Sequence, residues 1–317
     1  MEKSAKVVVR TVRGDVDPAD LGITLCHEHL IIDLSTAFGD PDLKLDDPAE
    51  VAEDLADAKA LGLRTVVDVT PLGTGRDAVK LARISELAGL HVVASAGYYF
   101  GQFLPDFVAA SSEADLAGRI AREVEEGIDG STVRAGAVGE VGNSPGEITD
   151  VERKVFRAAG RAQRLTGAAV ITHTDVGRFG ADQLDLLEIG GADLSRVLIG
   201  HMDCTDELAA HLTVARRGAF VGFDRIGVLR GVFGPYQTDE TRARLIAELV
   251  AQGHASQIIL SHDIARRSRL RRHGGQGYSY ILRESVPLLR QAGLDDATIR
   301  TLLIDNPRRL LAFEPRR

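Results

Sequence analysis

The chain has 317 residues, 44% hydrophobic and 26% charged, a balance that excludes a disordered or low-complexity polypeptide and supplies a large core. A net charge of −8 leaves no basic footprint for nucleic acid, and two cysteines, Cys26 and Cys204, are too few for a disulfide framework. No apolar run reaches the length of a membrane span and the first nine residues lack a signal-peptide core, so the expectation is a soluble, cytoplasmic protein with no membrane partner.

In chain order, residues 7–11 and 14–16 read as a short N-terminal hairpin and 17–20 as a turn. Strands are predicted at 23–27, 65–69, 91–96, 135–141, 169–172, 197–200, 219–223 and 257–261. Helices are predicted between them at 49–61, 77–88, 112–126, 149–166, 183–189, 207–217 and 239–252, with two more centred on Leu282 and Ile299. Asp47-Pro48 is a helix-start signal, and Thr149-x-x-Glu152 is a capping box. The strands are near-continuous apolar runs, as parallel strands covered on both faces are. Eight such strand–helix units predict an α/β fold, a (β/α)8 TIM barrel forming a single domain over 1–317, the barrel proper spanning about 22–315.

The titratable residues gather at the C-terminal ends of these strands, where active sites of such barrels are built. His27 and His29 stand two apart on the first strand, so both imidazoles share a face. The barrel brings them together with Glu140, His173, His201 and Asp263 from strands four, five, six and eight. Four imidazoles and two carboxylates exceed the needs of one zinc with an open position and suit two metals sharing a bridging carboxylate and a bridging water. The expected chemistry is hydroxide attack on an ester, lactone or phosphoester, with Asp263 as metal ligand and proton acceptor.

The segments Gly22-Ile-Thr-Leu-Cys-His27-Glu-His29, Thr172-His173-Thr174, Gly200-His201-Met-Asp203 and Ser261-His262-Asp263 resemble the phosphotriesterase family of the amidohydrolase superfamily, from about Gly14 to Pro307. The resemblance implies a binuclear centre, with His27, His29 and Asp263 on the buried metal and His173 and His201 on the more exposed one. In the phosphotriesterases and lactonases of the family a carbamylated lysine joins the metals; its place here is Gly139, with Glu140 next. Strand alternation turns Glu140 away unless a bulge re-aims it, which Gly139 and Gly142 permit. The phosphotriesterase homology protein subgroup has a glutamate in this register and is similar around Gly97-Tyr98-Tyr99 and Gly274-Gly275-x-Gly277-Tyr278.

Two departures bear on substrate. The positions used by phosphotriesterases to relay a proton outwards are Cys204 and Arg225 here, which argues against efficient turnover of paraoxon-like triesters. Tyr99 and Arg225 look more like the lactonase branch, where the tyrosine contacts the bridging hydroxide and the arginine lies at the substrate mouth. The expected function is therefore hydrolysis of a small-molecule lactone or carboxylic ester with two divalent metals, zinc first among them. Phosphotriester or phosphorylated sugar lactone hydrolysis is the alternative, and a non-catalytic metal-binding barrel is the alternative of another class. The resemblance also allows a homodimer.

Several residues have plainer readings. Residues 266–272 hold five arginines and read either as a solvated loop or as an anion-binding patch, with Arg267 the candidate substrate contact. The glycines after them predict a mobile loop over the pocket. His262 is expected to face away from the ligands, Cys26 to be core, Cys204 to lack an activating neighbour, and His91, His211 and His254 to lie on the surface.

Overall fold

The computed structural model describes residues 6–228 and 236–315. A hairpin of β1 (Val9–Thr11) and β2 (Gly14–Val16) leads into β3 (Ile23–Glu28), which carries His27 near its end with His29 just beyond it. A small two-stranded ribbon follows, β4 (Ile32–Asp33) against β5 (Lys44–Leu45), with the short helix α1 (Ser35–Phe38) between them. Neither ribbon nor helix is visible in the sequence pattern, because two-residue strands and a single helical turn carry no periodicity.

From there helix and strand alternate: α2 (Pro48–Ala60), β6 (Leu63–Asp68), α3 (Ala78–Ala88), β7 (His91–Ala96), α4 (Phe107–Ala110), α5 (Glu113–Glu125), β8 (Ala137–Gly142) and α6 (Asp150–Thr166). They continue with β9 (Ala169–His173), α7 (Gly180–Ile189), β10 (Val197–Ile199), α8 (Leu208–Arg216), β11 (Phe220–Phe223), α9 (Asp239–Ala251) and β12 (Ile258–Leu260). Helices α10 (Val286–Gln291), α11 (Asp296–Arg300) and α12 (Asn306–Leu311) close the chain, with π-helical turns before α10 and α12. The caps stand where the sequence puts them. Asp47 accepts from the N–H groups of Ala49 and Glu50, and Thr149 and Glu152 form a reciprocal capping box.

Strands β3, β6, β7, β8, β9, β10, β11 and β12 form one eight-stranded parallel sheet, each hydrogen-bonded to the next in that order. The ends of the order, β12 and β3, lie in contact, so the sheet curls into a nearly closed barrel. Alternation then divides the core. Val67, Val93, Ile171, Leu198, Phe220 and Ile259 fill the interior, and Leu310 and Leu311 plug its base. Val66, Val92, Val138, Val170, Ile199 and Val221 face outward under the helices. Among the described residues no helix is long and apolar enough to cross a membrane.

His211 departs from expectation. It is buried, its ring stacks on Phe223 and its Nδ1 lies 3.0 Å from the Glu207 carbonyl oxygen, so the α8 face that carries it packs on the barrel instead of facing water.

Candidate metal centre

Six side chains predicted from five strands meet above the interior plug. Glu140 is the hub: its Oε1 lies 3.1 Å from His27 Nε2, 2.9 Å from His173 Nδ1 and 3.2 Å from His201 Nε2, while its Oε2 lies 3.8 Å from His29 Nε2. Asp263 Oδ1 stands 3.1 Å from His29 Nε2 and 3.9 Å from His27 Nε2. His173 Nδ1 and His201 Nε2 are 2.8 Å apart. All six residues except His173 are buried, and His173 is partly buried.

A local irregularity puts Glu140 there. The register of β8 against β9 shifts between Val138 and Val141, so Gly139 and Glu140 together stand opposite the single Ile171, and this one extra residue re-aims the carboxylate that alternation would turn away. Gly139 has φ +150°, and a Cβ on it would stand 2.4 Å from the Ile171 carbonyl oxygen, so the bulge requires glycine. The Gly139–Glu140 peptide is cis.

The donor set fits cations better than hydrogen bonds. Three ring nitrogens converge on one Glu140 oxygen, and His173 Nδ1 is also within 3.0 Å of the Tyr99 hydroxyl, more partners than these atoms can satisfy by sharing protons. Among the described residues three groups are spaced to hold a metal, His27–His29–Glu140, Glu140–His173–His201 and His27–His201–Asp224, with Glu140 shared by the first two. The far nitrogens are held from behind, as metal-binding imidazoles are. His29 Nδ1 lies 2.8 Å from Thr70 Oγ1, and His201 Nδ1 lies 2.8 Å from Asp224 Oδ1.

Asp224 is the site residue that the sequence reading missed. It is fully buried after β11; Oδ1 also accepts the His201 backbone N–H at 2.8 Å, and Oδ2 lies 3.1 Å from His27 Nδ1. One carboxylate thus steadies a histidine from each half of the cluster. The available signal was an acidic residue at a strand end beside Arg225, but its two partners are visible only once the barrel closes.

Electrostatics agree. Burial opposes ionisation of Glu140, yet His173 and His27 hold its carboxyl well below the usual range. Burial likewise opposes the charge on Asp263, but Arg225, His29 and His201 together outweigh it, so this carboxyl too is held well down. His27 is pushed up despite burial by Asp224 and Glu140. His173 is pulled down to about 4 by burial, against the opposing pull of Glu140, and presents a neutral imidazole. The carboxylates draw protons onto imidazoles in place of the positive charge the cluster calls for.

His29, Glu140 and Asp263 of the cluster line a cavity of about 630 Å³. Ile32, Leu34, Phe38 and Leu43, from the β4–α1–β5 ribbon, give the cavity an apolar lining, and Arg225, Arg266 and Arg269 line it too, with Tyr99 and Tyr236. Arg225 Nε donates to Asp263 Oδ2 at 2.9 Å, and its guanidinium sits over the Tyr236 ring.

Arg267 is not brought to the cavity. It is exposed, pairs with Glu50 on α2, 3.2 Å away, and is not among the residues that line the cavity. Three of the four other arginines of the run have similar anchors: Arg271 pairs with Asp57, Arg272 with Glu53, and Arg266 with Asp40. The glycine loop is not free either, since Asp54 accepts the backbone N–H groups of Arg271 and Tyr278 at 2.6 and 2.8 Å. Cys204 is buried and its thiol is pushed well up by burial, so it keeps its proton.

The Phosphotriesterase family profile matches residues 7–311. The chain belongs to the phosphotriesterase family. Among its relatives, the phosphotriesterase homology protein of Escherichia coli is 41% identical over 286 residues, 90% of this chain and 96% of that one. The crystal structure of the phosphotriesterase homology protein from E. coli, with phosphate in its active site, superposes with a TM-score of 0.88 at 40% identity, covering 92% of this chain and 99% of that one. A lactonase from Listeria monocytogenes superposes with a TM-score of 0.90 at 30% identity, covering 98% and 100%. An N-acetyltaurine hydrolase from Tetraodon nigroviridis is 32% identical over 345 residues, 96% of this chain and 98% of that one. Family members thus include hydrolases named for different bonds.

Proposed function

We propose that the whole chain is one metal-dependent hydrolase of lactones and carboxylic esters. The observation that carries this reading is the convergence of His27, His29, Glu140, His173, His201 and Asp263 in one cluster, of which His29, Glu140 and Asp263 line a substrate-sized cavity. His27, His29 and Asp263 would hold one divalent cation, His173 and His201 the other, and Glu140 would bridge them, with zinc suited to these nitrogen and oxygen donors. Two such cations, when bound, supply a water of lowered pKa and polarise the substrate carbonyl.

The chain's own residues do the rest. Asp263, ionised and clamped by Arg225, accepts the proton of the attacking water. Tyr99, whose hydroxyl is pushed well up by burial, keeps its proton and offers a donor beside His173. The ribbon wall takes the apolar part of the substrate, beside the engaged guanidiniums of Arg225, Arg266 and Arg269. With Arg225 engaged on Asp263 and Cys204 protonated, the outward relay of a phosphotriesterase has no counterpart in these two residues.

The similarity to N-acetyltaurine hydrolases favours a second reading on the same site, hydrolysis of an N-acyl compound with a sulfonate or carboxylate. Rates measured over neutral lactones, aryl esters, anionic N-acyl amines and paraoxon, with and without a chelator, separate the two. The expected result is fastest turnover of a lactone or ester, at a kcat/KM of at least about 10⁴ M⁻¹s⁻¹, abolished by chelation. Fastest turnover of the N-acyl amine would replace the first reading by the second, and no turnover of any kind would favour a non-catalytic barrel.

A further inference from the structure

Glu28 stands between two candidate ligands on β3, yet it points away from them and is fully buried. Its Oε1 accepts the hydroxyl of Ser261 at 2.9 Å, the backbone N–H of His262 at 2.8 Å and His262 Nδ1 at 2.8 Å. Its Oε2 accepts the N–H of Ile264 at 3.1 Å. The N–H of Ile281 donates to His262 Nε2 at 3.0 Å, so that nitrogen is the acceptor and the ring proton sits on Nδ1, facing Glu28.

These contacts bracket Asp263 from both sides. Arg269 takes the opposite face of the same turn, donating to the carbonyls of His262 at 2.9 Å and Asp263 at 3.2 Å. The N–H of Asp263 itself donates to the His27 carbonyl at 3.1 Å, and the N–H of His27 donates to Ser261 Oγ at 3.0 Å. Asp263 has φ +54°, a left-handed conformation that a non-glycine residue holds only where its surroundings over-determine it. The clamp also lies at the seam between β3 and β12, where the hydrogen-bonded order of the sheet ends.

We propose that Glu28 is a positioning residue for Asp263: its carboxylate gathers the N–H groups of the turn while Arg269 gathers the carbonyls, fixing the side chain of Asp263 at the His27–His29 end of the cluster. The inference rests on the metal-centre reading and adds that the ligand strand and the proton-acceptor turn are locked by one carboxylate. Glutamine is the informative replacement. It keeps the shape and one acceptor oxygen but brings an NH₂ group against donors, where the carboxylate satisfied all of them.

The test is metal content by elemental analysis of purified wild type, E28Q and D263N, with folding followed by circular dichroism and kcat and KM measured on the best substrate of the wild type. The expected E28Q is folded, holds less metal than wild type after dialysis, and loses roughly 10- to 100-fold in kcat with KM little changed, as loss of a partner behind a ligand does. A purely structural Glu28 would lower thermal stability alone, and a folded E28Q with the wild-type metal complement and kcat overturns the proposal. Should E28Q not fold, S261A removes one donor and leaves the carboxylate. Its metal is expected to be stripped at roughly tenfold lower chelator concentration, and unchanged chelator sensitivity overturns the proposal. A wild type without metal overturns the underlying reading itself, an outcome distinct from two metals retained in both wild type and E28Q.

Discussion

Replacing Glu140 by alanine is expected to remove at least one of two bound metals and to lower kcat/KM by more than about 1000-fold, about 4 kcal/mol of transition-state stabilisation. The reason is its place at the hub. One of its oxygens is within 3.2 Å of three ring nitrogens, and the other faces His29. Without that carboxylate, four imidazoles and Asp263 would face two cations with no shared anion between them, and like-charge repulsion across a short gap would expel one. Glutamine should fare little better, because it keeps the shape but not the charge. Metal content and steady-state rates check this directly, and a Glu140→Ala protein with full metal and a rate within tenfold of wild type would assign the bridge elsewhere.

Asp263→Asn is expected to cost 10²- to 10⁴-fold in kcat, the range for loss of a positioned proton acceptor. The carboxylate meets His29 Nε2 at 3.1 Å through one oxygen and Arg225 at 2.9 Å through the other. An amide cannot accept the proton of the attacking water, and it leaves the Arg225 guanidinium without its anion in a buried setting. KM should change less than kcat, since the lost interaction belongs to the chemical step. A kcat within tenfold of wild type would move the proton-acceptor role to another group.

How far the chain discloses these features follows from range. The barrel strands are legible because each is a short apolar run between helix signals, and a capping box such as Thr149–Glu152 is complete within four residues. His27 and His29 announce themselves because a shared face needs only a spacing of two. Glu140 was ambiguous, since alternation alone turns it away and only the shift between Val138 and Val141 re-aims it. Asp224 and Glu28 were silent because their partners lie 23 and 234 residues distant, for instance His201 and His262.

The arginine run shows the same limit from the other side. Its local composition reads equally as an anion site or a solvated loop, and the deciding residues are Glu50, Glu53 and Asp57 on α2, over 200 residues earlier. They reach it because the curled sheet sets β3 and the helix after it beside the loop that follows β12. The pairing leaves Arg267 on the outside and gives the cavity Arg266 and Arg269 instead.

Metal content per chain, measured by elemental analysis on the wild-type protein after dialysis against metal-free buffer, bears most directly on the binuclear centre. Two equivalents of divalent metal, removed together with activity by a chelator, is the predicted result. One equivalent or none in a protein that still turns over substrate would contradict it.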